Sequence, residues 1–508
     1  MDTPTHAPSA QRRVLRISRP FVSLRVLAAL ALALPILAAW PALAARPAQT
    51  AKPAQQSPKS MPQAVELLSS TTEDLPEMQQ RGQVRVLVVP NRTNFTMAPD
   101  GSFRGLEHDL ARLLERSLNK GRKKHEPKIA VVFVPVLLDE LLPALLEGRG
   151  DIAAAGLTIT PAREARVAFS LPYIQNVREV LVTRQGTPPV TNRDDLSGRV
   201  IHVAPGSSHA EHLELLRQDF ARRGLPPMSV VEADHILDVE NLLEMLSAGM
   251  LENVVADEHI ARLWAKVLPG LAIYPQREAL DGGRIAWAVR KDNPLLLAAV
   301  NKALRENAKK QTALFQRTFP ASQVDAKRLE NPFLASKHAQ LLPDFRRRSD
   351  EYGFDWLHML AQGFQESGLN NNAKSPAGAI GVMQVLPSTG ASLGFRDIRP
   401  APENIHAGVR YMSQLRDKEI GADALDPEQR FYFSLAAYNA GPARIRKLRE
   451  QTRAEGLDPN VWFGSVERVA LRNGLQGPVM YVRNIRAYYI AYSLSYDIHK
   501  RRTKAHER

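Results

Sequence analysis

Residues 364–390, FQESGLNNNAKSPAGAIGVMQVLPSTG, decide how the second half of the chain is read, because they hold a single acid, Glu366, and the next one is Asp397. Upstream, Asp355 predicts the N-cap of a helix beginning at Trp356. Trp356, Leu360, Gly363 and Phe364 fall at i, i+4, i+7 and i+8, which makes one apolar stripe. Glu366 then lies at the border of that stripe, at the helix end. A carboxyl on a buried margin loses solvation, which raises its pKa and keeps its proton near neutrality. A general acid needs that property. Glycosidases with paired carboxylates also need a second acid as nucleophile or base, and the sequence supplies none close by.

Around this segment the chain reads as helices broken by Gly, Pro and Asn, from about Leu341 to the C-terminus. Among them are DWLHMLAQGFQ (355–365), HAGVRYMSQLRDK (406–418) and PVMYVRNIRAYYIAYSLSYDIHK (478–500). The last is aromatic and basic, as a nucleic-acid platform would be, but its Tyr and Ile residues recur at helical spacing and are read as core. Before Pro320 the pattern differs. Short runs such as VRVLVV (84–89), KIAVVFVPV (128–136), RVIHVA (199–204), SVVEA (229–233) and NVVAD (253–257) alternate with amphipathic helices. That alternation predicts βαβ units and mostly parallel sheets, in one large or two smaller lobes.

Two sets of motifs carry family resemblances. Glu366-Ser367, the Gly-x-Met-Gln element of Gly381, Met383 and Gln384, AAYNAG (436–441) and Tyr481 occur in the order seen in the soluble lytic transglycosylases. The chain resembles that family over about 341–492, which implies a goose-type-lysozyme-like, all-helical fold and peptidoglycan as substrate. The resemblance makes Glu366 the catalytic acid/base. It puts Ser367, Ser375, Gly381, Met383, Gln384, Tyr438, Asn439 and Tyr481 along the sugar cleft. Val382 stands where Leu is usual, and GPVMY (477–481) lacks the Glu and Thr often found before the late tyrosine. The implied mechanism needs no second acid, metal or organic cofactor. Glu366 protonates the oxygen leaving the MurNAc–GlcNAc bond, the MurNAc acetamido carbonyl stabilises the oxocarbenium-like centre, and Glu366 then accepts the C6 hydroxyl proton as the 1,6-anhydro ring closes.

LLPALLEGRGDIAAAGLTITPAREARVAFSLPY (141–173), together with RGLEHDLA (104–111), APGSSHAEHL (204–213) and VVADEHIA (254–261), resembles the polar amino-acid-binding type of periplasmic solute-binding protein. This likeness implies an α-carboxylate clamped by Arg163, bidentate as guanidinium geometry allows. It adds contacts from Ser207 and Ser208 at a helix start, an α-ammonium on Asp257, backbone and hydroxyl contacts at Gly156 and Thr158, and packing by Phe95. A solute-binding region followed by a transglycosylase region resembles the membrane-bound lytic murein transglycosylase F type. The expected fold is therefore multidomain: a two-lobed α/β domain over 79–325 and an all-α lysozyme-like domain over 336–500. The partners implied are peptidoglycan glycan strands and an amino acid or muropeptide. A hydrolytic muramidase, and a receptor whose helical domain only binds glycan, remain as alternatives.

Composition bounds the rest. The 508 residues carry a formal charge of +14 and no cysteine, so disulfides, thiolate catalysis and Cys-ligated metals are excluded. The 13 His residues form no HExxH pattern, and no metal site is expected. Arg12, Arg13, Arg16, Arg19 and Arg25 precede an uncharged run from Val26 to Ala45 that ends near the small-x-small triplet Ala42-Leu43-Ala44. Residues 1–45 are thus expected to be an export signal or an uncleaved N-terminal anchor, and 46–78 a Pro/Ala/Gln-rich linker. Either way the mature chain is expected in the periplasm, associated with the outer membrane or wall. Membrane association follows only from the anchor, and no nucleic-acid partner is expected.

Overall fold

The computed structural model describes residues 70–97, 103–123, 126–318, 336–420 and 425–506. The expected export segment lies outside them, as does the linker up to residue 69. The last linker residues are ordered differently from expectation. Asp74 caps a helix Leu75–Arg81 by accepting from Leu75 N at 2.8 Å. The same carboxylate accepts from Leu295 N and Leu296 N, each at 2.9 Å, so the helix is fastened across the chain and does not behave as tether.

Two five-stranded sheets follow. The first runs Ala130–Pro135, Gln83–Val88, Ile152–Ala154, Ala288–Val289, Ala168–Phe169 in spatial order. The second runs Leu271–Ile285, Ile174–Arg184, Asn253–Asp257, Val200–Val203, Ser229–Glu232. Both sheets are mixed, which corrects the expectation of mostly parallel pairing. In the first, Gln83–Val88 pairs parallel with both neighbours, while Ala288–Val289 pairs antiparallel with both of its own. In the second, Ile174–Arg184 is antiparallel to both neighbours, and the other junctions are parallel. The cause is topological. The chain leaves the first sheet along Ile174–Arg184 and returns along Leu271–Ile285 to Ala288–Val289, so the two crossing strands run against each other.

The strands hold their places by burial. Every residue of Gln83–Val88 is buried, as suits a strand covered on both faces. Helix Leu106–Leu118, at the bounds read from sequence, buries Leu106, Leu110, Ala111, Leu113 and Leu114 against that sheet.

From Leu342 onward the described elements are helices joined by turns, and β pairing there is confined to two isolated bridges, Lys374–Ile380 and Ile380–Val385. Helix Trp356–Ser367 is capped by Asp355, which accepts from Leu357 N at 2.9 Å, and is stopped by Gly368 at φ +64°. It packs on the long helix Gln476–His506, with the Phe364 ring edge-on to Tyr488 at 4.8 Å. Gly363 permits the close approach of the preceding helix, since a Cβ there would meet Phe345 Cζ at 2.8 Å. The apolar cluster around Phe364, Met383 and Tyr481 is continuous with Val254 and Trp264 beside the second sheet. Arg486 pairs with Asp234 across that junction at 3.0 Å. Among the described residues no helix is long and apolar enough to cross a membrane.

Candidate active site and ligand cleft

Glu366 sits half-buried in the last turn of helix Trp356–Ser367. Tyr481, 4% exposed on helix Gln476–His506, donates its hydroxyl to Glu366 Oε1 at 2.5 Å. Burial, and next the charge of Glu366, push the Tyr481 hydroxyl well above its ordinary range. Burial and the same charge do likewise for Tyr438. Both tyrosines therefore stay protonated and act as donors. Tyr438 spends its proton on Met383 O at 2.8 Å.

The downstream segment is pinned, not loose. Ser367 Oγ donates to Val382 O at 2.8 Å, and Asn370 N donates to Ser367 Oγ at 3.0 Å. Ser375 Oγ accepts from Ala379 N at 3.0 Å. Gly381 has φ +80°, and a Cβ there would lie 2.4 Å from the Asn404 side chain. Gln384 adopts φ +47°, a conformation that costs a non-glycine residue about 1–3 kcal/mol and gathers at functional sites. Its Nε2 donates to Ala373 O at 3.1 Å and Gly381 O at 2.9 Å, so this amide holds the loop. Met383 is fully buried beneath it, while Asn439 is exposed one residue past Tyr438. Hydrogen bonds thus link Glu366 to Tyr481, and Met383 to Tyr438. Ser367, Ser375, Gly381 and Gln384 form the turn framework beside them.

Two residues of this framework escaped the sequence reading. Asn404 is fully buried; its Oδ1 accepts from Met383 N at 2.8 Å, and its Nδ2 donates to Ile380 O at 2.9 Å and Ile398 O at 3.0 Å. The available signal was a polar residue on the apolar face of Ile405, Ala407, Gly408 and Val409. Gln362, also fully buried, donates from Nε2 to the Tyr481 hydroxyl at 3.2 Å.

In the α/β region, Gly156, Thr158, Arg163, Ser207, Ser208 and Asp257 line one cavity of about 100 Å³. The protein itself engages most of the groups meant for a ligand. Arg163 donates from Nε to Glu211 at 2.9 Å, from Nη1 to Thr158 O at 3.0 Å and from Nη2 to Gly206 O at 2.9 Å. Gly156 N donates to Glu107 at 2.7 Å. Ser207 Oγ donates to Ala204 O at 2.6 Å and Ser208 Oγ to Glu179 at 2.7 Å. Asp257 faces His209 Nε2 at 3.2 Å. Phe95 does not join the residues named for this cavity. It is 3% exposed, with its ring centroid 5.2 Å from Phe103 and 4.9 Å from Phe133 in the core of the first lobe.

Among the described residues one group, Glu179, His209 and Asp257, brings possible metal-ligand atoms within 4.8 Å of one another. His212 Nδ1 already holds Glu179 Oε2 at 2.8 Å and His209 Nε2 faces Asp257, so these atoms are engaged as imidazole–carboxylate pairs, while His209 Nδ1 has no hydrogen-bond partner among the described residues. A cavity of about 640 Å³ opens elsewhere, between Asp234 and Asp355, His358, Glu428 and Arg486. It contains none of the catalytic or ligand-binding residues expected from sequence.

Residues 84–319 match the bacterial extracellular solute-binding proteins, family 3, and 345–460 match the transglycosylase SLT domain. The membrane-bound lytic murein transglycosylase F 1 of Alkalilimnicola ehrlichii is 30% identical over 429 residues, covering 81% of this chain and 83% of the relative. The chain belongs to the membrane-bound lytic murein transglycosylase F family. The family member from Desulfosudis oleivorans is 29% identical, over 77% of this chain and 82% of its own length. An ancestral arginine-binding protein bound to arginine aligns at 28% identity with 47% of this chain and 99% of its own, at a TM-score of 0.40. Tyr481 lies beyond the segment matched to the SLT domain, so its place in the site rests on its contact with Glu366.

Proposed function

We propose that this family member cleaves peptidoglycan glycan strands at the MurNAc–GlcNAc β-1,4 bond by transglycosylation, with Glu366 as sole acid/base. The observation that carries the reading is the 2.5 Å bond from a buried tyrosine to a half-buried glutamate at a helix end. It is set beside a hydrogen-bonded turn of residues 373–385. Glu366 gives its proton to the leaving oxygen. The carboxylate so formed, steadied by the Tyr481 hydroxyl, accepts the proton of the MurNAc C6 hydroxyl as that oxygen closes on C1. The substrate's acetamido carbonyl stabilises the charge in between, as in substrate-assisted glycosidases. Ser367, Ser375, Gly381, Met383, Gln384, Tyr438 and Asn439 shape the sugar cleft around that acid. The α/β domain over 79–325 receives an amino acid or wall peptide at Arg163, Ser207, Ser208 and Asp257. The domain over 336–500 is catalytic. Residues 1–45 deliver the chain to the periplasm, at the outer membrane or wall.

The test is product analysis by mass spectrometry on purified peptidoglycan. Wild type yields 1,6-anhydro ends, and Glu366→Gln loses roughly 10²–10⁴-fold in rate, the usual worth of general acid–base catalysis. Reducing ends would establish hydrolysis instead. Undiminished cleavage by Glu366→Gln would remove Glu366 from the chemistry.

A further inference from the structure

We infer that Gln362 is a positioning residue that fixes the direction of the hydrogen-bond chain serving Glu366, and so selects which carboxyl oxygen carries the working proton. The inference rests on the reading of Glu366 as acid/base and extends it to a residue that this reading does not use.

Gln362 lies one helical turn before Glu366, on the same helix. Residues 359–364 are all buried, and Gln362 is the polar one among Met359, Leu360, Ala361, Gly363 and Phe364. Its Nε2 donates to the Tyr481 hydroxyl at 3.2 Å, and that hydroxyl donates to Glu366 Oε1 at 2.5 Å. Its own Oε1 has no hydrogen-bond partner among the described residues. A buried amide carbonyl without a partner is destabilising, and an apolar side chain at this position would avoid that penalty. Packing therefore gives no reason for glutamine here. The contact to Tyr481 does.

The proton count supplies the reason. A phenol has one proton, and an amide NH₂ can only donate. With Nε2 facing Tyr481, the phenol oxygen accepts and its single proton is committed to Glu366 Oε1. An acceptor or an apolar side chain at position 362 leaves that proton free to turn elsewhere. Because Oε1 receives the tyrosine proton, the proton passed to the glycosidic oxygen, and later taken from the C6 hydroxyl, resides on Oε2. Burial of Tyr481 keeps it a phenol, consistent with a donor that orients and is not consumed.

The experiment compares Gln362→Met, Gln362→Glu, Tyr481→Phe and the Gln362→Met/Tyr481→Phe pair, with Glu366→Gln alongside. It records kcat, KM and the pH–rate profile on purified glycan strands, with thermal unfolding as the folding control. Gln362→Met is expected to lower kcat about tenfold, the scale of one hydrogen bond to an ionisable site, with KM within about twofold. Removing an oriented donor destabilises the carboxylate, so the limb on which Glu366 ionises moves to higher pH. In the Tyr481→Phe background the same change has no further effect, since the chain is already cut. Gln362→Glu regains activity only at pH values where its own carboxyl is protonated and can donate. Should Gln362→Met not fold, the pH-dependent recovery of Gln362→Glu decides alone. Wild-type kcat and pH profile in both Gln362 variants, with Glu366→Gln inactive, would overturn the inference while leaving the acid/base reading intact. An active Glu366→Gln would overturn both.

Discussion

The two candidate sites of this molecule treat their charged groups in opposite ways. In the helical region a tyrosine on one helix aims its proton at Glu366 on another, and the adjoining turn is locked by Asn404, Gln384 and Ser367. In the α/β region Arg163 is held by Glu211, Asp257 by His209 and Ser208 by Glu179. The space left is about 100 Å³. The first site gathers its donors around Glu366, and the second pairs its charges with one another. A ligand of the α/β cleft must replace internal bonds of equal kind, so its net gain is smaller than its contacts suggest. The lobes must also part for anything larger than the space present.

The sharpest way to break this contrast is to unbalance the Arg163–Glu211 pair. Arg163→Ala removes the proposed carboxylate clamp, and truncating one partner of a buried charge pair costs about 2–5 kcal/mol in binding. Calorimetry with amino acids and muropeptides should therefore show any binding lost. Glu211→Gln has the opposite sign, because it releases the Arg163 Nε now committed at 2.9 Å, and should tighten binding. If Glu211→Gln weakens binding, the pair is part of the receptor surface and not a competitor for it.

In the helical region the matching test is Tyr481→Phe. A hydrogen bond to a charged group is worth about 1.5–3 kcal/mol, so kcat should fall roughly 10- to 100-fold. The ring stays buried in the apolar cluster that holds Phe364 and Met383, so unfolding should remain cooperative, with stability lowered by the roughly 1–3 kcal/mol that leaving Gln362 Nε2 without a partner costs. Wild-type turnover in Tyr481→Phe would show that the short contact is packing alone, and that the two sites differ less than their hydrogen bonds imply.

How much of this was legible in the sequence depended on how local the cause was. The helix from Trp356, its Asp355 cap and the terminal place of Glu366 are written in adjacent residues, and the structure has them at those positions. So is helix Leu106–Leu118. Tyr481 was reachable through its motif, although it stands 115 residues from Glu366. What stayed hidden was register and partnership. Alternating strands and helices give no sign that Ile174–Arg184 and Leu271–Ile285 run antiparallel, and the returning strand Ala288–Val289 has only two residues. Gln362 reads as an interruption of an apolar helix face until Tyr481 is beside it. Glu211 reads as a helix-surface acid until Arg163, 48 residues away, meets it. The solute-binding likeness implies that Phe95 packs on a ligand, but the rings of Phe103 and Phe133 take it into the core.

The smallest expected effect concerns pH, and it isolates the self-pairing of the α/β cleft. Burial by itself would push His209 down, but the charge of Glu179 and the bond and charge of Asp257 outweigh it, against opposition from Arg163. His209 is thus held above its ordinary 6.5. Burial alone would raise Asp257, yet the bond and charge of His209, with lesser help from His259 and His212, hold it below its ordinary 3.8. A raised histidine contributes stability that is fully present below its unfolded value and is lost as pH rises through its folded one. A depressed aspartate contributes stability present above its unfolded value and lost as pH falls through its folded one. Both contributions are therefore complete between about 3.8 and 6.5, and the histidine part declines above that window. From pH 5.5 to 8.5 the denaturant midpoint of wild type should fall relative to that of His209→Asn across the upper half of the range. The difference separates this pair from His202, His259, His358 and His406, whose lowered values act with the opposite sign. Turnover at Glu366 should not move. A slope unchanged in His209→Asn would mean that the His209–Asp257 pair is not closed in solution. Asp257 would then stand open for an ammonium group, and the α/β cleft would be organised toward a ligand after all.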